Sequence, residues 1–263
     1  HFHDFTGDGW PDLYVCNDFE SPDRIWVNLG DGRFRALSPQ ALRNTSASTM
    51  SVAFADVDRD GDSDFFLADM LSRDPVMRRR QVVSMPPMAA EVGGVESRPQ
   101  YMRNSLMTQR EDGTFAEITR YAGLEASEWT WASLFLDVDL DGYEDLLLTN
   151  GHLHDVQDLD TETQIRQLAA TATGSEDYRR IILLYPPLER TNLSFRNEGA
   201  GRFTAVDPSS VGMKSLLLTS AVARLTGDDP NIEIDRATDA IALDSWHPTA
   251  GTRATGARKV DYR

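Results

Sequence analysis

The feature that most constrains this chain is an acidic motif that recurs three times in step with a second motif. The acidic motif, D-x-(D/T)-x-D-G-x-x-D, starts at Asp4, Asp56 and Asp137 and is followed each time by a short apolar run. The second motif, N-x-G-D-G-x-F or a variant of it, ends in a phenylalanine. Asp56 follows Phe34 by the same 22 positions that separate Asp137 from Phe115. Such matched spacing indicates internal repeats of one structural unit.

The residues around each acidic motif predict strands. Segments 51–57 and 132–138 are β-branched or aromatic and alternate in polarity, so each is predicted to lead into an acidic loop. An Asp-Gly dipeptide predicts a hairpin turn within 24–37. The unit therefore has four short strands, and four-stranded units that recur radially are propeller blades. We expect an all-β fold, a partial β-propeller of about three four-stranded blades plus part of a fourth, with short helical insertions.

The same repeats divide the chain into segments. We expect propeller blades over 1–206, built from units at about 1–50, 51–131 and 132–217, with insertions at 70–103 and 151–190, a degenerate fourth blade at 207–246 and an irregular tail at 247–263. Arg224 stands where the first aspartate of a fourth motif should be, so this copy is expected to bind no ion. In the second insertion, Thr161 and Gln164 have capping-box spacing, and Ser175 is a further possible helix start.

The acidic motif has the ligand pattern of a calcium loop. Oxygen-bearing residues at positions 1, 3, 5 and 9 surround a glycine at position 6, which permits a sharp turn, and calcium takes 6–8 oxygen ligands. The predicted side-chain ligands are Asp4, Thr6, Asp8 and Asp12 in the first copy, Asp56, Asp58, Asp60 and Asp64 in the second, and Asp137, Asp139, Asp141 and Asp145 in the third, completed by the carbonyls of Trp10, Asp62 and Tyr143. Thr6 replaces a carboxylate, so the first site is expected to be weaker.

These loops admit three other interpretations. An EF-hand requires an acid at position 12 and flanking helices, whereas position 12 is Val15, Leu67 or Leu148, each in an apolar strand-like run. Magnesium suits an all-protein oxygen cage less well than calcium. The loops could also be solvated acidic turns without an ion. We favour calcium with a structural role, which neutralises the crowded aspartates and has no part in catalysis.

Composition excludes several classes of function. The formal net charge of −16 is unsuited to nucleic acid or anionic membranes and favours divalent cations or basic partners. No apolar run reaches the ~18–20 residues needed to span a bilayer. A single cysteine, Cys16, excludes an internal disulfide and a multi-cysteine zinc site. The chain opens within a repeat and shows no signal peptide, so we expect a fragment of a longer protein.

Two further groups of residues could carry function. His152 and His154, with Asp155, Asp158 and Asp160, could form a second metal site, although the uneven spacing of the acids favours a polar loop. Trp129 and Trp131 lie on one face of an extended segment and could stack on a sugar. Filling the gap between blades is the more common role for such a pair, and we favour it here.

The motifs resemble a known family of repeats. The D-x-D-x-D-G-x-x-D loops followed by FFLAD and LLLTN, alternating with N-x-G-D-G-x-F, resemble the FG-GAP/VCBS repeats of integrin-α-type β-propellers. The phrases RPQYMRNSL, DGTFAEITRYAGL and EWTWASLFLDVDLDGYEDLLLTNGH are similar to the bacterial exported cartilage-acidic-protein-like (ASPIC/UnbV-associated) group. The resemblance covers about 1–206.

The resemblance implies a larger propeller, an extracellular or periplasmic location and structural calcium in the acidic loops. We expect a non-enzymatic module that binds an extracellular protein or glycan, with no nucleic-acid partner and no membrane span. The alternative is the propeller scaffold of a polysaccharide-active enzyme or an oxidoreductase whose catalytic part lies outside this chain. No nucleophile elbow, P-loop or zinc-protease motif is found in the sequence.

Overall fold

The computed structural model describes residues 1–18, 21–81, 98–169, 181, 183–188 and 190–207. These residues form three four-stranded antiparallel sheets, a short two-stranded parallel pair and short helices. The predicted all-β, propeller-like class is thereby confirmed. Residues 208–263, which include nearly all of the predicted fourth blade and the whole of the predicted tail, lie outside the described residues.

Each four-stranded sheet is an up-and-down meander of strands numbered here in chain order. Sheet 1 contains β1 (Phe2–His3), β2 (Asp12–Val15), β3 (Arg24–Asn28) and β4 (Phe34–Ala36). Sheet 2 contains β6 (Ser51–Ala55), β7 (Asp64–Ala68), β9 (Ser105–Gln109) and β10 (Phe115–Glu117). Sheet 3 contains β11 (Thr130–Leu136), β12 (Asp145–Asn150), β13 (Leu193–Asn197) and β14 (Phe203–Val206). The parallel pair is β5 (Thr45–Ser46) with β8 (Gln100–Tyr101).

The antiparallel order places the loops of each sheet at two opposite ends. The acidic loops join the first strand to the second, and the hairpin turns that join the third to the fourth leave the same end, here called the acidic-loop rim. The second strands, β7 and β12, end at the opposite edge, where both insertions begin. We call that edge, with the segment 118–130 that follows β10, the insertion rim.

The core consists of two layers on either side of sheet 2. In β7, Phe65 and Leu67 pack toward sheet 1, whereas Phe66 packs with Leu146 and Phe195 of sheet 3. All five residues of β7 are buried, which explains its continuous apolar sequence after the first aspartate. Burial of each large side chain contributes roughly 1.5–3 kcal/mol, so stacking of the sheets is a major source of stability.

Local capping explains where the helices begin and end. Helix α1 (Pro75–Arg80) begins after Asp74, whose side chain accepts from the backbone N–H of Val76 at 2.7 Å. Helix α2 (Thr119–Ala122) ends at Gly123, which has a φ of +80°. Helix α1 lies within the insertion predicted at 70–103, whereas nothing in the sequence indicated α2.

The predicted start of the third helix is wrong. Helix α3 spans Leu159–Ala169, and its N-cap is Asp158, whose Oδ1 accepts from the backbone N–H of Thr161 at 2.8 Å. Thr161 therefore occupies the third helical position instead of the cap. Aspartate caps a helix somewhat better than threonine, which accounts for the earlier start. The helix start predicted at Ser175 lies outside the described residues.

Candidate metal-binding loops

The three acidic loops share one backbone frame, held first by the aspartate at position 1. We call them loop 1 (residues 4–12), loop 2 (56–64) and loop 3 (137–145). In loop 2, the two carboxylate oxygens of Asp56 accept from the backbone N–H groups of Asp60 and Gly61, both at 3.0 Å. Asp4 and Asp137 accept from the equivalent positions 5 and 6 of their own loops at 2.7–3.1 Å.

Glycine is required at position 6 because the backbone is left-handed there. The φ angles are +88° at Gly9, +93° at Gly61 and +95° at Gly142. Position 4 is left-handed as well, and the sequence motif did not indicate it. This position is glycine in loop 1, but loops 2 and 3 place Arg59 and Leu140 there with φ values of +66° and +61°.

The buried aspartate at position 9 ties each loop to the third strand of its own sheet. One oxygen of Asp12, Asp64 or Asp145 accepts from the backbone N–H of the last residue in that strand, at 2.8–2.9 Å. The other oxygen accepts from a backbone N–H near the start of the loop, at 3.0–3.3 Å. The predicted ligand at position 9 therefore has a structural task that does not depend on an ion.

The residue at the end of the third strand also joins neighbouring sheets. The Nδ2 of Asn197 donates to the carbonyl of Glu144 in loop 3 at 3.3 Å and to the carbonyl of Val57 in loop 2 at 2.9 Å. With its amide oriented to satisfy its neighbours, Gln109 likewise donates to Ser63 of loop 2 and to Phe5 of loop 1. The second sequence motif therefore marks a link between loops, a role that nothing in the motif itself indicates.

Loops 2 and 3 gather carboxylates that could hold a cation. Oxygen atoms of Asp56, Asp58 and Asp64 lie within 4.8 Å of one another, and so do oxygens of Asp137, Asp139 and Asp141. Of the other predicted ligands, Asp60 and Asp145 are outside these two groups. Clustered carboxylate oxygens are the donors that a hard cation such as calcium requires.

The electrostatics of loop 2 fit a bound cation. The Oδ1 of Asp58 is buried and has no hydrogen-bond partner. Burial, followed by the neighbouring charges of Asp60 and Asp56, raises the pKa of Asp58. Burial also raises the pKa of Asp64 to about 7, despite the two backbone N–H groups that it accepts from. A cation held among these oxygens would offset the cost of burying their charges.

Loop 1 keeps the frame without the carboxylate cluster. The hydroxyl of Thr6 donates to Oδ2 of Asp12 at 3.1 Å, and so does its backbone N–H at 3.2 Å. Asp8 accepts from the backbone N–H of Trp10. Among the described residues, no group of three clustered carboxylates lies at this loop.

The histidines and tryptophans lie together on the insertion rim. Each histidine Nδ1 faces a carbonyl: that of His154 for His152, and that of Tyr185 for His154. Trp129 is buried, stacks on the ring of His152 at a centroid distance of 4.4 Å and packs near Met70. These contacts agree with a polar loop at the histidines and with a packing role for Trp129.

Trp131 differs from its neighbour. The register of β11 is irregular at Trp131, which lies between the paired residues Thr130 and Ala132, and 41% of Trp131 is exposed. Its indole N–H donates to the carbonyl of Gly151, and its ring centroid is 6.1 Å from that of Trp129. Trp131 therefore presents an anchored aromatic ring to solvent.

Comparison with known proteins agrees with this geometry. Residues 4–67 match the family model described as FG-GAP-like repeat, a span that covers loops 1 and 2 and most of β7. No curated protein matches the chain. In the part of the chain that the structure describes, no helix is both long and apolar enough to cross a bilayer. The match and the three equivalent sheets support the FG-GAP repeat family and a β-propeller-type repeat domain.

Proposed function

We propose that this chain is a calcium-stabilised propeller module that binds an extracellular protein or glycan. The observation that carries the proposal is the pair of three-carboxylate clusters built on one repeated loop frame. Calcium would be held by the carboxylates of loops 2 and 3, where it would supply positive charge among crowded aspartates. Loop 1 would bind calcium more weakly because Thr6 provides no charge.

We propose a structural role for the ion and no catalytic role for the loops. The aspartates at positions 1 and 9 already accept backbone N–H groups that set the shape of each loop. An ion held by the clustered carboxylates would stiffen the connection between the first and second strands of sheets 2 and 3. A general acid or base needs a carboxylate that can reach a substrate proton, whereas these groups hold backbone.

We propose the insertion rim as the contact surface. Both insertions leave the sheets there, at equivalent points of sheets 2 and 3. Exposed connections carried on a rigid sheet are common sites of binding. The net charge of −16 argues against nucleic acid as the partner. We also propose an extracellular or periplasmic location and membership in the cartilage-acidic-protein-like group, supported by the sequence phrases given above.

Thermal melting with and without calcium tests the metal proposal. Two ions at about 100 times their Kd would raise the free energy of unfolding by about 5 kcal/mol. For a chain of this size, that corresponds to roughly 10–20 °C in Tm. Excess EGTA should remove this increment, and added calcium should restore it. Magnesium at the same concentration should restore less.

Variants separate specific binding from a general effect of charge. The double variant Asp58→Asn, Asp139→Asn should lose most of the response to calcium. Glu111→Gln removes an exposed acid from a hairpin turn on the same rim and should respond like the unaltered protein. A melting curve that EGTA does not change would overturn the proposal.

A further inference from the structure

A pocket of 340 Å³ on the insertion rim is rich in arginine, in contrast to the acidic surface of the protein. Its lining consists of Arg73, Arg78, Arg120, Gly123, Glu125 and Ala126. Arg73 and Arg78 come from the insertion that follows β7, whereas the remaining residues come from α2 and the loop after it. The pocket thus lies at the edge of the sheet opposite the acidic loops.

One carboxylate is shared between two of the guanidinium groups. The Oε1 of Glu125 pairs with Nη1 of Arg78 at 2.9 Å, and its Oε2 lies 3.3 Å from Nε of Arg120. Arg78 is further anchored because its Nε donates to the carbonyl of Ser72. These contacts lower the pKa of Glu125, which therefore stays ionised. The pair and their shared acid carry one net positive charge.

Arg73 supplies a second net positive charge. Its guanidinium carbon lies 5.8 Å from the centre of the Phe195 ring, and no carboxylate of a described residue pairs with it. The nearby Glu128 is already engaged, since it accepts from the backbone N–H of Arg73 at 2.9 Å and pairs with Arg190 at 3.1 Å. The lining as a whole carries three guanidinium groups against one carboxylate.

We infer that this pocket binds the oxyanion, carboxylate or sulfate, of an acidic sugar in a polysaccharide. Guanidinium groups match such oxyanions because their N–H donors form a planar fork. The volume lies at the low end of the range for small-ligand sites, which suits one sugar ring. A single aspartate or glutamate side chain would leave much of it unfilled.

The surroundings also favour a glycan. Trp131 lies on the same rim, five residues along the chain from Ala126, and offers an exposed, anchored aromatic ring of the kind that stacks on sugars. Duplex nucleic acid carries about one negative charge per 1.7 Å of its axis, so the acidic remainder of the protein would repel it more strongly than a sugar chain with about one charge per ring. The inference deepens the proposed function, because it names the partner class for the insertion rim.

Calorimetric titration of the full chain at low and moderate salt tests the inference. The probes are a tetrasaccharide of galacturonate, a tetrasaccharide of chondroitin sulfate, inorganic sulfate and an acidic hexapeptide of glutamate. The variants are Arg73→Gln, Arg120→Gln and their combination. Both arginines are largely exposed, so the fold should survive, and melting curves verify this. Arg110→Gln, an exposed arginine in a hairpin turn on the opposite rim, is the matched control.

We expect saturable binding of one or both acidic tetrasaccharides, weakened by salt. The double variant should lower the affinity at least tenfold, and Arg110→Gln should stay within about twofold. The tetrasaccharide that binds more tightly identifies the oxyanion. An absence of saturable binding, or an equal loss in Arg110→Gln, would overturn the inference. Tighter binding of the glutamate peptide would replace glycan with protein as the partner.

The same samples distinguish this inference from the calcium proposal. Melting with EGTA reports on the acidic loops, whereas the titrations report on the arginine pocket. Sugar binding with a melting curve that EGTA leaves unchanged would retain the pocket and reject the calcium proposal. A calcium-dependent melting curve without sugar binding would retain the calcium proposal and reject the pocket.

Discussion

Loop 1 and loop 2 have the same backbone frame but different side chains with which to hold an ion. Both use an aspartate at position 1 to accept two backbone N–H groups, and both bury an aspartate at position 9. Loop 2 adds Asp58, whose buried oxygen lacks a partner, whereas loop 1 has Thr6, whose hydroxyl is satisfied by Asp12. The comparison separates two tasks within one motif. Positions 1, 6 and 9 shape the loop, and position 3 decides how strongly it attracts a cation.

The largest expected effect tests whether position 9 shapes both loops alike. With EGTA present, Asp12→Ala should lower the free energy of unfolding by about 3 kcal/mol, because two backbone N–H groups lose their acceptor. Asp64→Ala should cost a similar amount, somewhat reduced because it also removes a carboxylate that burial disfavours. Chemical denaturation measures both. If Asp12→Ala costs less than about 1 kcal/mol, the shared frame does not depend on this residue.

The next largest effect tests the link between sheets. Asn197→Ala removes donors to two loops and an acceptor for the N–H of Gly199, so it should cost about 2–3 kcal/mol. Asn28 in sheet 1 donates to the carbonyl of Pro11 within its own loop, at an exposed site. We expect Asn28→Ala to cost about 1 kcal/mol. Equal costs in denaturation experiments would argue against the link.

Exchanging position 3 between the loops should exchange their affinity for calcium. Thr6→Asp is expected to tighten calcium binding at loop 1, and Asp58→Thr to weaken it at loop 2. Each exchange should change the affinity of its loop about tenfold, or roughly 1.4 kcal/mol. Titration calorimetry after chelation measures these affinities. Unchanged calcium affinities in both variants would show that position 3 is not decisive.

The smallest effect concerns the left-handed residue at position 4. Leu140 is 85% exposed and has a positive φ, so Leu140→Gly relieves backbone strain with little loss of packing. The net gain should be about 0.5 kcal/mol, since glycine also costs entropy. Gly7→Ala should have the opposite sign and cost about 1 kcal/mol. Denaturation midpoints compare the two, and Leu140→Ala, which retains a Cβ, should show no gain.

Interactions close in sequence were predictable, and those between distant segments were not. The acidic loops and the hairpins follow from motifs a few residues long, whose hydrogen bonds are local. The bond from Asn197 to Val57 joins residues 140 positions apart, so no pattern in either segment indicates it. The arginine pocket likewise depends on how two distant segments meet.

Other differences between the predictions and the structure arise where two local conformations or two capping residues compete. At the start of α3, Asp158 and Thr161 could each cap the helix, and a capping-box pattern alone does not rank them. At position 4, the frame of the loop overrides the preference of Arg59 and Leu140 for a negative φ. Local preference is a weak guide where several hydrogen bonds elsewhere determine the backbone.

The hydrogen bonds that Gln109 and Asn197 make between loops restrict how a protein built of these repeats can gain or lose a repeat. In sheets 2 and 3, the residue before each hairpin supports the acidic loop of its own repeat and also the loop of the repeat before it. The cooperative unit therefore straddles the boundary between two sequence repeats. A truncation after loop 3 that removes β13 would leave sheet 2 intact, but loop 2 would lose the hydrogen bond from Asn197. Duplication or deletion of whole repeats preserves every hydrogen bond of this kind except those at the two ends of the array.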